Sequence, residues 1–71
     1  MKFEWLKDDL RDIHLLCLIG YRSLFFRGTL FPEQEGERLW RPFPKGELQI
    51  VSGELEKAKS AAESMARLKG Q

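Results

Sequence analysis

Ile13-His-Leu-Leu-Cys-Leu-Ile19 is an almost continuous apolar stretch in the first third of the chain. In a helix, its side chains would point in every direction around the axis, and one neighbouring helix would cover only part of them. A chain of 71 residues has little other surface with which to cover the remainder. The stretch therefore predicts contact with a second copy or with another protein. The residues expected to make that contact are Leu15, Leu18 and Ile19.

Apolar residues continue at spacings of three and four on both sides of this stretch, and the segment contains no proline. This spacing predicts an amphipathic helix over about residues 3–27. Acidic residues lie early in the segment and Arg22 and Arg27 lie late, as the helix dipole favours, and Gly28 is a suitable stop. The predicted seam consists of Phe3, Leu6, Leu10, Ile13, Cys17, Gly20 and Leu24.

Residues 28–46 contain all three prolines and three of the six glycines, which predicts a connector. Several aromatic and aliphatic side chains make this connector too apolar to be fully solvated. Two local structures are compatible with it. Pro32 and the acidic residues after it fit the first turn of a short helix. Alternatively, segments 29–31 and 38–40 pair as a short hairpin.

A second helix is predicted over about residues 47–69, where apolar and alanine positions again alternate three and four apart. Gly53 falls on the face opposite this seam, so it weakens the helix without removing a contact. In the alternative interpretation, the helix begins near Ser52 as an N-cap, and residues 48–51 are extended.

These elements predict an all-α fold: one domain over residues 1–71, built as an antiparallel helical hairpin with a long connector rich in proline, glycine and aromatic residues. Because an alanine-rich helix cannot cover its bulkier partner, two hairpins are expected to form a homodimeric four-helix bundle. The core positions expected to be largely buried are Leu6, Leu10, Ile13, Leu24, Leu55 and Met65.

Charge and cysteine content exclude several classes of protein. Twelve Lys and Arg against eleven Asp and Glu leave a net charge of +1, which provides no overall field to attract nucleic acid. The single cysteine cannot form an intramolecular disulfide. No segment reaches the roughly 20 apolar residues of a membrane span, and acidic residues occupy the place of a signal-peptide core. We therefore expect a cytoplasmic protein that does not enter the membrane.

No catalytic, cofactor or metal motif stands out. His14 and Cys17 would be neighbours on a helix, but two ligands do not make a structural zinc site, and a buried cysteine usually packs as a small apolar residue. Asp8 and Asp12 would also lie one turn apart, with no third ligand. Glycines do not show phosphate-binding spacing. We therefore expect a non-enzymatic protein without a cofactor.

The segment from Arg38 to Lys45 is the second candidate contact region, because it alternates cations with aromatic residues. Tryptophan and arginine are enriched at interface hot spots. The sequence favours a protein-interaction module, such as an adaptor, chaperone subunit or inhibitor, with a protein partner of unknown identity. The alternative is a small dimeric regulator that binds nucleic acid through this segment, although the balanced charge disfavours it. The predicted contact residues here are Arg38, Trp40, Arg41 and Phe43.

Overall fold

A computed structural model describes residues 2–69 of the chain and shows a mostly β architecture. Five antiparallel strands lie in the sheet in chain order, and one helix follows them. The all-α hairpin prediction is therefore wrong: the predicted helix over residues 3–27 is divided among the first three strands. The elements are β1 (Lys2–Asp8), β2 (Ile13–Gly20), β3 (Ser23–Leu30), β4 (Glu37–Pro42), β5 (Gln49–Ser52) and α1 (Leu55–Lys69).

Two tight turns divide the segment that was predicted to be helical. Asp12, with φ 52°, ends the turn between β1 and β2, and Arg22, with φ 60°, lies in the two-residue turn between Gly20 and Ser23. Neither conformation fits a right-handed helix. The apolar stretch between the turns is β2, a central strand that pairs with β1 on one side and β3 on the other. An apolar run on both faces of such a strand satisfies the same sequence pattern as a buried helix.

The predicted connector contains a strand and part of another. Leu30 pairs with Trp40 and Thr29 with Arg41, so the hairpin alternative is the one observed, with the register shifted by about one residue. The short helix proposed at Pro32 is not formed. Between β3 and β4, Glu35 and Gly36 adopt φ values of 53° and 82°, and the connection closes through hydrogen bonds between Gln34 and Glu37.

The C-terminal helix is confirmed in type but is shorter than predicted, because it begins at Leu55 rather than near residue 47. Gln49–Ser52 is strand β5, as in the alternative interpretation that left residues 48–51 extended. The Ser52 hydroxyl accepts a hydrogen bond from the backbone N–H of Glu54 at 3.1 Å, and Glu54 then accepts the first helical bond, from Ala58. Ser52 therefore lies at the strand-to-helix junction.

The core lies between α1 and one side of the sheet, which we call the inner face. Its small helix residues let the helix approach the large side chains of the sheet closely. The ring centroids of Trp5 and Trp40 are 6.1 Å apart in an edge-to-face arrangement, and the Trp5 indole Nε1–H donates to Glu63 on α1 at 2.7 Å. The buried apolar cluster consists of Leu16, Leu30, Trp40, Ala58, Ala62 and Ala66.

The predicted core positions are only partly correct. Leu55 and Met65 pack against the buried cluster, and Ile13 is half-buried. Leu6 and Leu24 are exposed, and Leu10 is 97% exposed in the turn after β1. Residues that a helix would place on one side lie in the structure on both faces of the sheet and in a turn.

Candidate functional site

The side of the sheet opposite α1, which we call the outer face, is the main candidate site. Strand alternation and register place apolar side chains there from all five strands. Within residues 2–69, α1 is the one helix, and the core that it forms lies on the inner face, so no helix covers the outer face. Its apolar residues are Leu6, Ile13, Leu15, Cys17, Ile19, Leu24, Phe26, Leu39 and Ile50.

Exposure is greatest toward the margins of the outer face. Ile50 is 66% exposed, and its register partner Leu39 is also exposed. Leu15 and Ile19, on the central strand, are half-buried by their neighbours in the sheet, and Cys17 between them is buried. Thr29 and Arg41 lie among these residues, and an exposed apolar surface with polar residues beside it is typical of an interaction site on a small protein.

The predicted contact residues do not form one surface. Leu15 and Ile19 lie on the outer face, whereas Leu18 alternates with them and points to the inner side. The sequence predicts these three residues on several sides of one helix. In the structure, alternation along β2 places them on the two opposite faces of the sheet.

The basic and aromatic segment is divided in the same way. Arg38 and Trp40 point inward and are 7% and 1% exposed, so the prediction that Arg38 is a free surface cation is wrong. Arg41 is exposed and pairs in register with Thr29, on the outer face. Phe43 is half-exposed and packs against Phe26, with ring centroids 4.9 Å apart. The segment therefore presents only part of its cations and aromatic rings at the surface: Arg41 and Phe43 are exposed, and Arg38 and Trp40 are not.

Arg38 instead ties three loops of the fold together. Its Nε donates to the Gly53 carbonyl at 3.0 Å, and its Nη1 donates to the Phe31 carbonyl at 3.2 Å. Nη1 also lies 3.3 Å from Oδ2 of Asp12. A guanidinium with these partners stabilises the start of β2 and the ends of β3 and β5, which is a structural role.

Asp12 joins this arrangement to the buried His14. Its Oδ1 lies 3.0 Å from His14 Nε2, and a carboxylate only accepts, so the Nε2–H is the donor. This hydrogen bond is the largest influence that lowers the pKa of Asp12 below its usual value of 3.8. Partial burial acts in the opposite direction, and the charge of Arg38 lowers the pKa further. Sequence analysis treated Asp12 as an ordinary exposed acid, although an aspartate just before a buried strand is a common turn residue.

The structure does not assemble a metal site from the predicted candidates. His14 and Cys17 are three residues apart in β2, so they lie on opposite faces of the sheet. Among residues 2–69, no group of three or more histidine, cysteine, aspartate or glutamate side chains is arranged to hold a metal ion.

The helix content also bears on membrane insertion. In the part of the chain that the structure describes, no helix has both the length and the apolar character needed to cross a bilayer.

Comparisons of the chain with protein-family models, with curated proteins and with solved structures found no match.

Proposed function

We propose that the protein is a small non-enzymatic interaction module that binds a second copy of itself through the outer face. The observation that supports this proposal is the row of exposed and half-buried apolar side chains that runs across all five strands. Transferring such a surface out of water is favourable, and the chain's one described helix is already packed on the inner face. The sequence predicts self-association through the apolar face of a helix, and this proposal places it on the outer face of the sheet instead.

The size of the face supports a second copy as the occupant. With strands about 4.8 Å apart and a rise of about 3.3 Å per residue, the sheet presents a face of roughly 500 Å². Two such faces together reach about 1,000 Å², the lower limit for a specific interface. We therefore expect a dimer with a dissociation constant on the order of 10 µM, which corresponds to roughly −7 kcal/mol.

The charges at the margins of the face are compatible with a two-fold dimer. Both margins carry both signs: Glu4 pairs with Lys2 and Asp8 with Arg11 beside β1, and Arg41 and Glu37 lie on β4. A two-fold axis parallel to the strands and in the plane of the interface places β1 of each copy over β4 and β5 of its partner. This is the closed symmetry that homodimers most often adopt.

The alternative of a nucleic-acid-binding regulator receives less support, because Arg38 and Trp40 are inside the fold. Salt separates the two functions. Binding to nucleic acid weakens steeply as salt increases, whereas association through an apolar face does not. A cytoplasmic location belongs to the same proposal and is supported by a buried cysteine that is a free thiol.

Sedimentation equilibrium tests the dimer on three chains at concentrations from about 1 µM to about 500 µM, a range that brackets the expected dissociation constant. The first is the wild-type protein. The second is Leu39→Asp, which places a charge on an exposed part of the outer face without removing core packing. The third is Leu10→Asp, a matched control in an exposed turn away from that face.

We expect the wild-type protein and Leu10→Asp to dimerise equally at low and high salt, and Leu39→Asp to remain a folded monomer by circular dichroism. A folded wild-type monomer at the highest concentration would contradict the proposal. Equal dimerisation of Leu39→Asp and the wild type would also contradict it, because the contact would then lie elsewhere. Loss of association at high salt would also contradict it, because charges rather than the apolar face would then hold the two copies together.

A further inference from the structure

A cavity of about 470 Å³ lies beside the second half of α1, separate from the centre of the outer face. Its volume falls within the usual range of small-molecule sites. The walls come from β3 at Arg27, from β4 and the loop that follows it, from β5 at Gln49, and from α1. The residues that matter for its chemistry are Arg27, Trp40, Phe43, Lys45, Gln49 and Met65.

The walls combine apolar contact surface with positive charge. Trp40, Phe43 and Met65 contribute aromatic and thioether surface, while Arg27 and Lys45 contribute two cations. None of the described residues that line the cavity is an aspartate or glutamate. An excess of two positive charges beside an apolar wall favours an anion with an apolar body.

Arg27 is held at this position by the backbone of the sheet and by the helix. The register shift between Leu16 and Cys17 leaves Arg27 as an additional residue between Gly28 and Phe26. Its Nη2 donates to the Ala66 carbonyl at 3.4 Å, which is a long hydrogen bond. A guanidinium has five N–H donors, so others are available to a ligand.

Trp40 gives the cavity a spectroscopic reporter. Its ring lines the cavity, whereas Trp5, the other tryptophan of the chain, does not line it and donates from Nε1 to Glu63 at 2.7 Å.

We propose that this cavity binds a small aromatic carboxylate. Arg27 and Lys45 bind the carboxylate, and the aromatic body lies against Trp40, Phe43 and Met65. This site does not depend on dimerisation, because its walls all come from one copy of the chain.

The two indole N–H groups allow a direct test by ¹H–¹⁵N correlation spectroscopy with 2-naphthoate as the probe. We expect a saturable shift of the Trp40 indole resonance that exceeds the shift at Trp5, because Trp40 lines the cavity and Trp5 does not. 2-Naphthalenemethanol, which has the same ring system without the charge, is expected to bind about ten-fold more weakly or worse.

Three variants locate the anion. Lys45→Gln and Arg27→Gln should each weaken 2-naphthoate binding by about ten-fold, since each removes a charge-assisted contact. Arg41→Gln is the matched control, because Arg41 is an exposed cation of the neighbouring strand that does not line the cavity. Lys45 is itself exposed, so its removal tests the site even if Arg27→Gln unfolds the chain.

Equal affinity for the charged and neutral probes would overturn the proposal. It would also be overturned by unchanged binding in Lys45→Gln, or by shifts confined to the methyl groups of Leu15, Leu39 and Ile50 on the outer face.

Discussion

The indole ring of Trp40 lies directly against the backbone of Gly28. A Cβ atom placed on Gly28 would be 2.4 Å from Cη2 of Trp40 and 2.6 Å from its Cζ2. Glycine at this position therefore allows the largest buried side chain of the core to reach its place between β3 and α1. Gly36 differs from Gly28, because a Cβ placed there would meet no atom within 4 Å.

Gly28→Ala is expected to destabilise the protein by about 1–3 kcal/mol or more through overpacking, and to change the fluorescence of Trp40. Gly36→Ala is the matched control. It introduces the conformational cost of a positive φ, about 1 kcal/mol, without a steric conflict. Urea unfolding monitored by fluorescence measures both variants. Equal stability of Gly28→Ala and the wild type would contradict the close packing of Trp40.

Arg38 and Arg41 are two residues apart and are expected to differ sharply. Arg38→Met leaves the carbonyls of Phe31 and Gly53 without their donor, so we expect a loss of about 3 kcal/mol. Arg41→Met changes an exposed residue and should alter stability by less than about 0.5 kcal/mol. Chemical unfolding of the two variants, measured below the dimerisation range, makes the comparison. Similar losses of unfolding free energy in Arg38→Met and Arg41→Met would contradict the structural role of Arg38.

Asp12 is expected to make stability depend on acidity. Because its pKa in the folded protein is below 3.8, the unfolded chain binds the proton more readily, and stability rises with pH across that range. The contribution is complete above the unfolded pKa of about 3.9 and is lost as the pH falls through the lower folded pKa.

Unfolding between about pH 2 and pH 7 tests this dependence. Asp12→Asn should be less stable than the wild type at neutral pH and should lose part of the acid-dependent slope. Asparagine tolerates a positive φ, so the turn itself can persist. Asp9→Asn is the control, since Asp9 is an exposed acid in the same turn. An identical slope in Asp12→Asn and the wild type would refute the assignment.

The hydrogen bond from Trp5 to Glu63 connects the edge strand β1 with α1. Glu63→Ala should destabilise by about 1–2 kcal/mol because the indole N–H loses a charged acceptor. Glu63→Gln retains an acceptor oxygen and should lose less. Glu56→Ala, on an exposed position of the same helix, is the control. Thermal unfolding together with hydrogen exchange at β1 measures the effect. Unchanged β1 protection in Glu63→Ala would contradict this link.

The sequence allowed the type of the last element to be predicted, because α1 combines alanines with charged residues and has no competing turn within it. The first half was misassigned for a physical reason. Seven successive residues that are nearly all apolar carry no period of their own, so a buried strand and a buried helix fit equally. The distinguishing signals were in the flanks: the Asp-rich turn that ends at Asp12, and the Gly20-Tyr-Arg-Ser23 turn.

The same misassignment explains the partial prediction of the site. Leu15 and Ile19 were identified because apolarity alone selects them. Trp40 was expected to pack against the helices at one end and Arg38 to stay exposed beside it as a solvated cation, yet strand alternation turns both inward. Their burial depends on Asp12 and Gly28, which are 26 and 12 positions earlier in the chain, and such long-range contacts have no local signature.

The order of the elements along the chain has a consequence for biosynthesis. Each strand pairs with the one made just before it, so the hairpins can form in succession as the chain leaves the ribosome. The helix that covers the inner face follows all five strands. At synthesis rates of about 5–20 residues per second, the residues of α1 are added about 1–3 s after those of β5. Until α1 packs, the inner face of the sheet is open to water, and a second chain can bind to either face.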